Sequence, residues 1–247
     1  MNAHPLFGDI DFKTSEGDDS CFPRLRIVIK EEITRMGVCP KKIKAINGGT
    51  HLSPQQVHEL LQNPPENLVI LDGRNEYEAR IGKFQNAIIP PINTFREFPE
   101  YIDNNQELFK DKKVFMYCTG GIRCERASAY LKAKGVAEEV YQLSGGIHRY
   151  AEQFPEGYFR GKNYVFDDRI AMTVNDDILS KCDQCQKPCA DFTNCINSKC
   201  NEQYIACAEC LINFNNCCST ICQNLVASKS VPVRTKFRPF NRNEARN

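Results

Sequence analysis

Cys118 heads the stretch Cys118-Thr119-Gly120-Gly121-Ile122-Arg123, and a second thiol, Cys124, follows at once. An apolar run, Val114-Phe115-Met116-Tyr117, precedes it, and a helical pattern from Arg123 to Lys134 follows. The chain therefore leaves a strand at a cysteine, turns through two glycines and enters a helix. Glycines permit backbone angles that a Cβ would block, so successive N–H groups can face the sulfur. The positive end of the helix and the charge of Arg123 strengthen the field. A thiol in that setting ionises well below its free value of roughly 8.5. The chemistry is that of an anionic sulfur, acting as nucleophile or sulfur carrier, in a cradle of Thr119, Gly120, Gly121, Ile122 and Arg123. Cys124 is a candidate resolving thiol, able to pair with Cys118 or to receive sulfur from it. The plainer reading makes Cys124 a core residue beside Ala127 and Leu131.

Two other readings of Cys118 compete. A buried cysteine at a tight turn needs neither the glycines nor Arg123. A phosphatase loop closes on an arginine in the same way but is one residue longer, which widens the cradle for phosphate. The shorter loop suits a terminal sulfur or a small oxyanion.

A second concentration of chemistry lies downstream. Of 14 cysteines, ten fall between Cys182 and Cys222. Cys182-x2-Cys185 and Cys207-x2-Cys210 have knuckle spacing, and Cys195-x4-Cys200 and Cys218-x3-Cys222 are looser pairs. Eight thiolates make two tetrahedral zinc sites. The 21 residues between the knuckle pairs exceed the usual interval of about 15–20. Interleaving is therefore preferred, first pair with third and second with fourth, while a sequential arrangement stays open. Cys189 and Cys217 are left over. Four cysteines per ion leave no open position, so the zinc is read as structural, stapling a segment poor in large apolar groups. An iron–sulfur cluster is the minority alternative.

These groups need a scaffold. Ser53-Pro54-Gln55-Gln56 is a capping box with proline at the first helical position, and Val57, Leu60 and Leu61 give that helix its buried face. Leu68 to Leu71 reads as a buried strand, Asn75 to Glu78 as the cap of a short helix, and Ala87-Ile88-Ile89 as a strand. Phe98 to Leu108 reads as a helix, Val114 to Tyr117 as the strand before the loop, and Glu139 to Leu143 as another strand. Gly145-Gly146 opens a helix that ends before Pro155. Strands alternating with helices predict an α/β domain with a mainly parallel sheet, with the loop at the carboxyl end of a strand, where such sheets hold ligands. The segment 157–178 reads as bridging β structure around Tyr164-Val165-Phe166. Arg24 to Lys30 reads as a short strand.

The formal net charge of +1 hides an asymmetry: an acidic start (Asp9, Asp11, Glu16, Asp18, Asp19) and a basic end (Lys229, Arg234, Lys236, Arg238, Arg242, Arg246). Phe237 and Phe240 interleave with the terminal arginines, a pattern fit for RNA phosphate and exposed bases, or simply a solvated tail. No apolar run approaches the length of about 20 that spans a membrane, and the start lacks the marks of a secretory signal. A soluble, cytoplasmic protein with no membrane partner is expected. The four histidines suggest no two-histidine-one-carboxylate iron site, and no glycine fingerprint for flavin or nicotinamide occurs.

Leu71-Asp72-Gly73-Arg74-Asn75-Glu76-Tyr77-Glu78, Ile81 to Phe84, the Cys118 loop with Glu125 to Leu131, and Val140 to Ile147 together resemble the rhodanese pattern. The resemblance implies that Cys118 is the nucleophile and persulfide carrier, and that Asp72 and Arg74 are structural. Asn93 to Pro99 and Gly161 to Arg169 narrow it. With the loop, they are similar to the rhodanese-domain, oxygen-dependent tRNA uridine hydroxylases, which form 5-hydroxyuridine at wobble position 34, and the match runs roughly from residue 20 to 222. It implies an oxidoreductase that uses molecular oxygen and takes a tRNA anticodon loop as partner. Members usually begin with a complete N-terminal α/β module, of which this chain keeps the end around LRIVIK. The expected organisation is an N-terminal remnant and linker (1–49), a rhodanese domain (50–156), a β linker (157–180), a Cys-rich zinc module (181–223) and a basic flexible tail (224–247). A sulfurtransferase drawing on a sulfur donor, and a zinc-stabilised binding module without catalysis, remain as alternatives.

Overall fold

The computed structural model describes residues 28–234. Most of the expected strand at 24–30 lies outside them, as do the acidic start and Phe237 and Phe240. Residues 28–30 carry no strand. In chain order, β1 is Thr50–Leu52, α1 Pro54–Gln62, β2 Leu68–Asp72, α2 Glu76–Ala79, β3 Gly82–Phe84, α3 Phe98–Asn104, β4 Lys113–Tyr117 and α4 Ile122–Lys134. Then come β5 Glu139–Leu143, α5 Gly146–Gln153, β6 Phe159–Tyr164, β7 Ala171–Thr173, β8 Phe192–Asn194, β9 Gln203–Ile205, α6 Ala208–Asn213 and α7 Thr220–Ala227.

The main sheet has the order β1-β5-β4-β2, and every pairing in it is parallel. β4 lies inside the sheet, with Leu71 opposite Met116 on one side and Phe115 opposite Tyr141 on the other. A strand between two helical layers must be apolar on both faces, and β4 is. Val114 and Met116 pack with Phe98, Ile102, Phe109 and Leu131. Phe115 and Tyr117 pack on the opposite side with Val57, Phe84, Ile147, Tyr150 and Phe159. This double burial fixes the carboxyl end of β4, from which the cysteine loop departs. The fold is an α/β, rhodanese-like domain with a parallel main sheet, followed by a small cysteine-rich module.

Three elements differ from the sequence reading. Ala87-Ile88-Ile89 contributes a single parallel bridge, Ile88 to Leu71, and no full strand. The helix from Phe98 stops at Asn104. Asn105 at its end donates from Nδ2 to the Tyr101 carbonyl at 2.8 Å, occupying an acceptor that continued helix would use, and a 3-10 turn covers Gln106–Leu108. The segment after 157 is built into the fold: β6 pairs antiparallel with β3 and β7, and Val165 and Phe166 sit at the tip of the β6–β7 hairpin. The cysteine-rich module contains the β8–β9 hairpin, α6 and α7, and α7 continues past residue 223 to Ala227. Its core of cysteines is closed by Ile81, Tyr164 and Ile170 from the α/β side.

Candidate active site and cysteine centres

The chain leaves β4 at Cys118, which is 1% exposed, and enters α4 through Gly121 in the left-handed region, φ +91°. Only one of the two glycines is required by its backbone. A Cβ on Gly120 would meet nothing within 4 Å, so the space over the loop is open there. The N-terminal turn of α5 pins the loop from the side: Ile147 N–H donates to the Cys118 carbonyl (2.9 Å) and His148 N–H to the Thr119 carbonyl (3.1 Å). Gly146, at φ +66°, lies so close that a Cβ would come within 2.5 Å of the Cys118 carbonyl and 2.6 Å of Gly121 N.

The Cys118 thiol is lowered to about 6. The largest cause is a hydrogen bond from the Cys124 thiol; burial opposes it, and the Arg123 charge and the N–H groups of Cys124 and Arg123 assist. Cys124 moves the other way, well above an ordinary thiol, because it is buried and gives its proton to a neighbouring anion. At neutral pH the pair is a Cys118 thiolate solvated by a Cys124 thiol. Gly73 abuts both, a Cβ there falling 3.4 Å from the Cys124 Sγ.

Arg123 has a different job from the one its position suggests. Its guanidinium meets the Glu78 carboxylate through two bonds of 2.6 and 2.7 Å and donates to Thr119 Oγ1 at 3.2 Å. Glu78 is fully buried on α2, and its Oε1 also accepts from Asn75 N–H at 3.0 Å in the capping box. The cation is thus engaged within the protein, its two terminal nitrogens taken by Glu78 and Thr119. Thr119 Oγ1 in turn donates to the Tyr164 carbonyl of β6 at 3.3 Å, and the Phe166 ring lies 5.5 Å from the Arg123 guanidinium carbon. Asp72 and Arg74, both with fully buried side chains, form a pair at 2.7 Å, and Arg74 also donates to the Gly82 carbonyl. They join the main sheet to β3 beneath the site.

The cysteine-rich module brings eight thiols into two groups, Cys182, Cys185, Cys207 and Cys210, and Cys195, Cys200, Cys218 and Cys222. Within each, the four sulfurs lie within 4.8 Å of one another. Cys185 and Cys207 are 3.7 Å apart, as are Cys200 and Cys218. A tetrahedron of thiolates at a Zn–S distance of about 2.3 Å has edges of about 3.8 Å, whereas a disulfide needs about 2.05 Å. The donor set and spacing therefore fit a four-thiolate metal centre, in the interleaved arrangement. The Cys195, Cys200, Cys218 and Cys222 group has supporting polar contacts: Asn197 Nδ2 lies 3.3 Å from Cys222 Sγ, and Cys218 N–H donates to Cys195 Sγ at 3.4 Å. Cys189 and Cys217 stand outside both groups.

Residues 53–153 match the rhodanese-like domain model and residues 160–223 the rhodanase C-terminal model. The chain is 38% identical to the tRNA uridine(34) hydroxylase of Chlamydia abortus over 252 aligned positions, 98% of this chain and 74% of that one. It is 43% identical to the tRNA uridine(34) hydroxylase of Corynebacterium jeikeium over 215 positions, 83% of this chain and 69% of that one. The chain belongs to the tRNA uridine(34) hydroxylase family.

Of the residues expected at the site, Arg123 and Cys124 act on the Cys118 sulfur, Thr119 bonds Arg123 and the Tyr164 carbonyl, and Gly121 turns the chain into α4. Gly120 and Ile122 face outward, Ile122 being 48% exposed. Sequence reasoning missed Glu78 and Phe166 as neighbours of the loop. The Asn75-x2-Glu78 capping box was visible in the sequence, but it signalled only a helix start.

Proposed function

We propose that this protein is an oxidoreductase that hydroxylates the wobble uridine of tRNA at C5 in an oxygen-dependent reaction, with Cys118 as the essential sulfur. The observation that carries this reading is 38% identity across 98% of the chain to a tRNA uridine(34) hydroxylase, supported by an intact thiolate loop. Cys118 acts as thiolate or persulfide. Arg123 holds the loop closed through Glu78, and Cys124 supplies the proton that stabilises the anion. An anticodon loop is single-stranded, so its wobble base reaches the loop without opening a duplex. The two four-cysteine groups hold structural zinc, which supplies cross-links to a module with little apolar core. No helix among the described residues is long and apolar enough to cross a membrane, and a tRNA substrate supports a cytoplasmic site of action.

The test is nucleoside mass spectrometry of tRNA from a deletion strain and from a Cys118→Ser strain. Loss of 5-hydroxyuridine in both is expected; unchanged levels in the serine strain, with any parallel pathway deleted, overturn the reading. The buried Cys118 thiolate also suits a sulfurtransferase. Rapid turnover of thiosulfate with no change in tRNA would select that function instead.

A further inference from the structure

We propose that Phe166 is a stacking platform that holds a nucleobase of single-stranded RNA over the Cys118 loop. The inference rests on the tRNA reading above and adds to it a substrate-contacting residue on the β6–β7 hairpin.

Among the described phenylalanines and tyrosines, Phe166 alone is exposed, at 57%. Its position is held from behind. Val165 N–H donates to the Ile170 carbonyl at 2.8 Å and Ile170 N–H to the Asp167 carbonyl at 3.0 Å. Asp167 is clipped by Arg169 at 2.6 and 2.9 Å. Ile170 sits at φ +62°, a left-handed conformation costly for a β-branched side chain. It persists because the side chain is buried against the cysteine-rich module. Strain of this kind persists where the surroundings over-determine it, often at functional sites. Its effect here is to turn the hairpin tip so that Phe166 projects outward while its neighbour is anchored.

The ring packs against the arginine of the Cys118 loop. The Arg123 guanidinium is on one side at 5.5 Å, and the Tyr164 ring meets it at 5.2 Å and 73°. Arg123 is the residue whose backbone N–H and charge act on Cys118, so one residue separates the platform from the thiolate. On the loop that Arg123 belongs to, Ile122 is 48% exposed and a Cβ on Gly120 would meet nothing within 4 Å. An exposed aromatic ring packed on the arginine of a thiolate loop suits a flat, unstacked group, and aromatic side chains bind single-stranded bases in this way without reading their edges.

The experiment uses the full chain and a fluorescein-labelled anticodon stem-loop RNA with uridine at position 34, alongside the same RNA lacking the base there. Phe166→Ala is expected to weaken binding of the intact RNA by about 10-fold. Phe166→Tyr should restore most of it and Phe166→Leu little. All three variants should bind the abasic RNA like the parent, and their Cys118 alkylation profiles should be unchanged. Parent-like binding by Phe166→Ala, an equal loss on the abasic RNA, full rescue by leucine, or no binding by the parent protein overturns the platform. A Cys118→Ser strain that keeps its 5-hydroxyuridine overturns instead the hydroxylase reading on which it rests.

Discussion

Arg123 and Glu78 form a bidentate pair at 2.6 and 2.7 Å, with the arginine side chain 10% and the glutamate 0% exposed. Burial works against the arginine's charge, but Glu78 more than restores it, and the guanidinium is held more strongly protonated than usual. The loop arginine thus locks α2 to the cysteine loop, and its charge reaches Cys118 already balanced. Glu78→Gln removes that balance and leaves a buried cation. Removing one partner of a buried pair costs about 3–5 kcal/mol, so urea denaturation should show a loss of at least about 2 kcal/mol. With its counter-charge gone, Arg123 should also lower the Cys118 thiol further. A variant as stable as the parent would show that the pair contributes little.

The opposed shifts of Cys118 and Cys124 have a pH signature. Cys118 is lowered to about 6 from an unfolded value of roughly 8.5. Its contribution to stability is therefore fully present above the unfolded value and is lost as pH falls through about 6. Cys124 is shifted upward, so its contribution falls once pH rises above the unfolded value. Stability from the pair should rise between pH 6 and 8.5 and decline beyond. Alkylation of Cys118 by iodoacetamide should titrate with a midpoint near 6. Cys124→Ala should raise that midpoint, because it removes the largest stabilising contact. A midpoint unmoved by the alanine would assign the activation to Arg123 and the backbone instead.

Much of this was legible in the sequence because short-range rules governed it. The capping box at Ser53, the apolar run of β4 and the helical pattern ending at Lys134 each depend on a few neighbouring residues, and all formed. The Asn105 side chain decided the end of α3, and one asparagine within the polar run Asp103 to Glu107 is a weak signal against continued helix. The pairing of Arg123 with Glu78 spans 45 residues, and nothing in either local pattern encodes the contact. The apolar stretch Tyr164-Val165-Phe166 reads as β structure, but the strand ends at Tyr164 and Phe166 lies in the turn beyond it. A left-handed Ile170 turned the chain there, and neighbouring side chains do not announce a positive φ at a β-branched residue.

Gly146 and Gly120 should respond oppositely to alanine. At Gly146 a Cβ would crowd the Cys118 carbonyl, Gly121 N and the Thr119 carbonyl at 2.5–2.7 Å, all backbone atoms, at a positive φ. Left-handed geometry alone costs about 1–3 kcal/mol, and the loop must also shift. Gly146→Ala should therefore lower stability by at least about 2 kcal/mol and slow Cys118 alkylation at pH 7. At Gly120 the added methyl enters open space, so stability should stay within about 0.5 kcal/mol. Any fall in tRNA modification by Gly120→Ala would then report occupancy of that space by substrate. Equal destabilisation by the two alanines would contradict the geometry around α5.

Metal content tests the cysteine-rich module directly. Two interleaved four-thiolate centres require about two zinc ions per chain by elemental analysis, and cobalt substitution should give the intense visible bands of a tetrahedral thiolate site. Cys182→Ser should release one ion and leave the Cys195, Cys200, Cys218 and Cys222 group filled; Cys195→Ser should do the reverse. Because the module has few large apolar side chains, metal binding is coupled to its folding. Chelation at neutral pH should therefore expose 180–227 to protease before the α/β domain, whose core contains none of the eight grouped thiols. The shared side chains Ile81, Tyr164 and Ile170 predict a further effect, since they connect the module to the β6–β7 hairpin. Loss of metal should loosen the tip that carries Phe166 and weaken RNA binding even while Cys118 still titrates near 6. A chelated protein that binds RNA unchanged would separate the metal centres from the site.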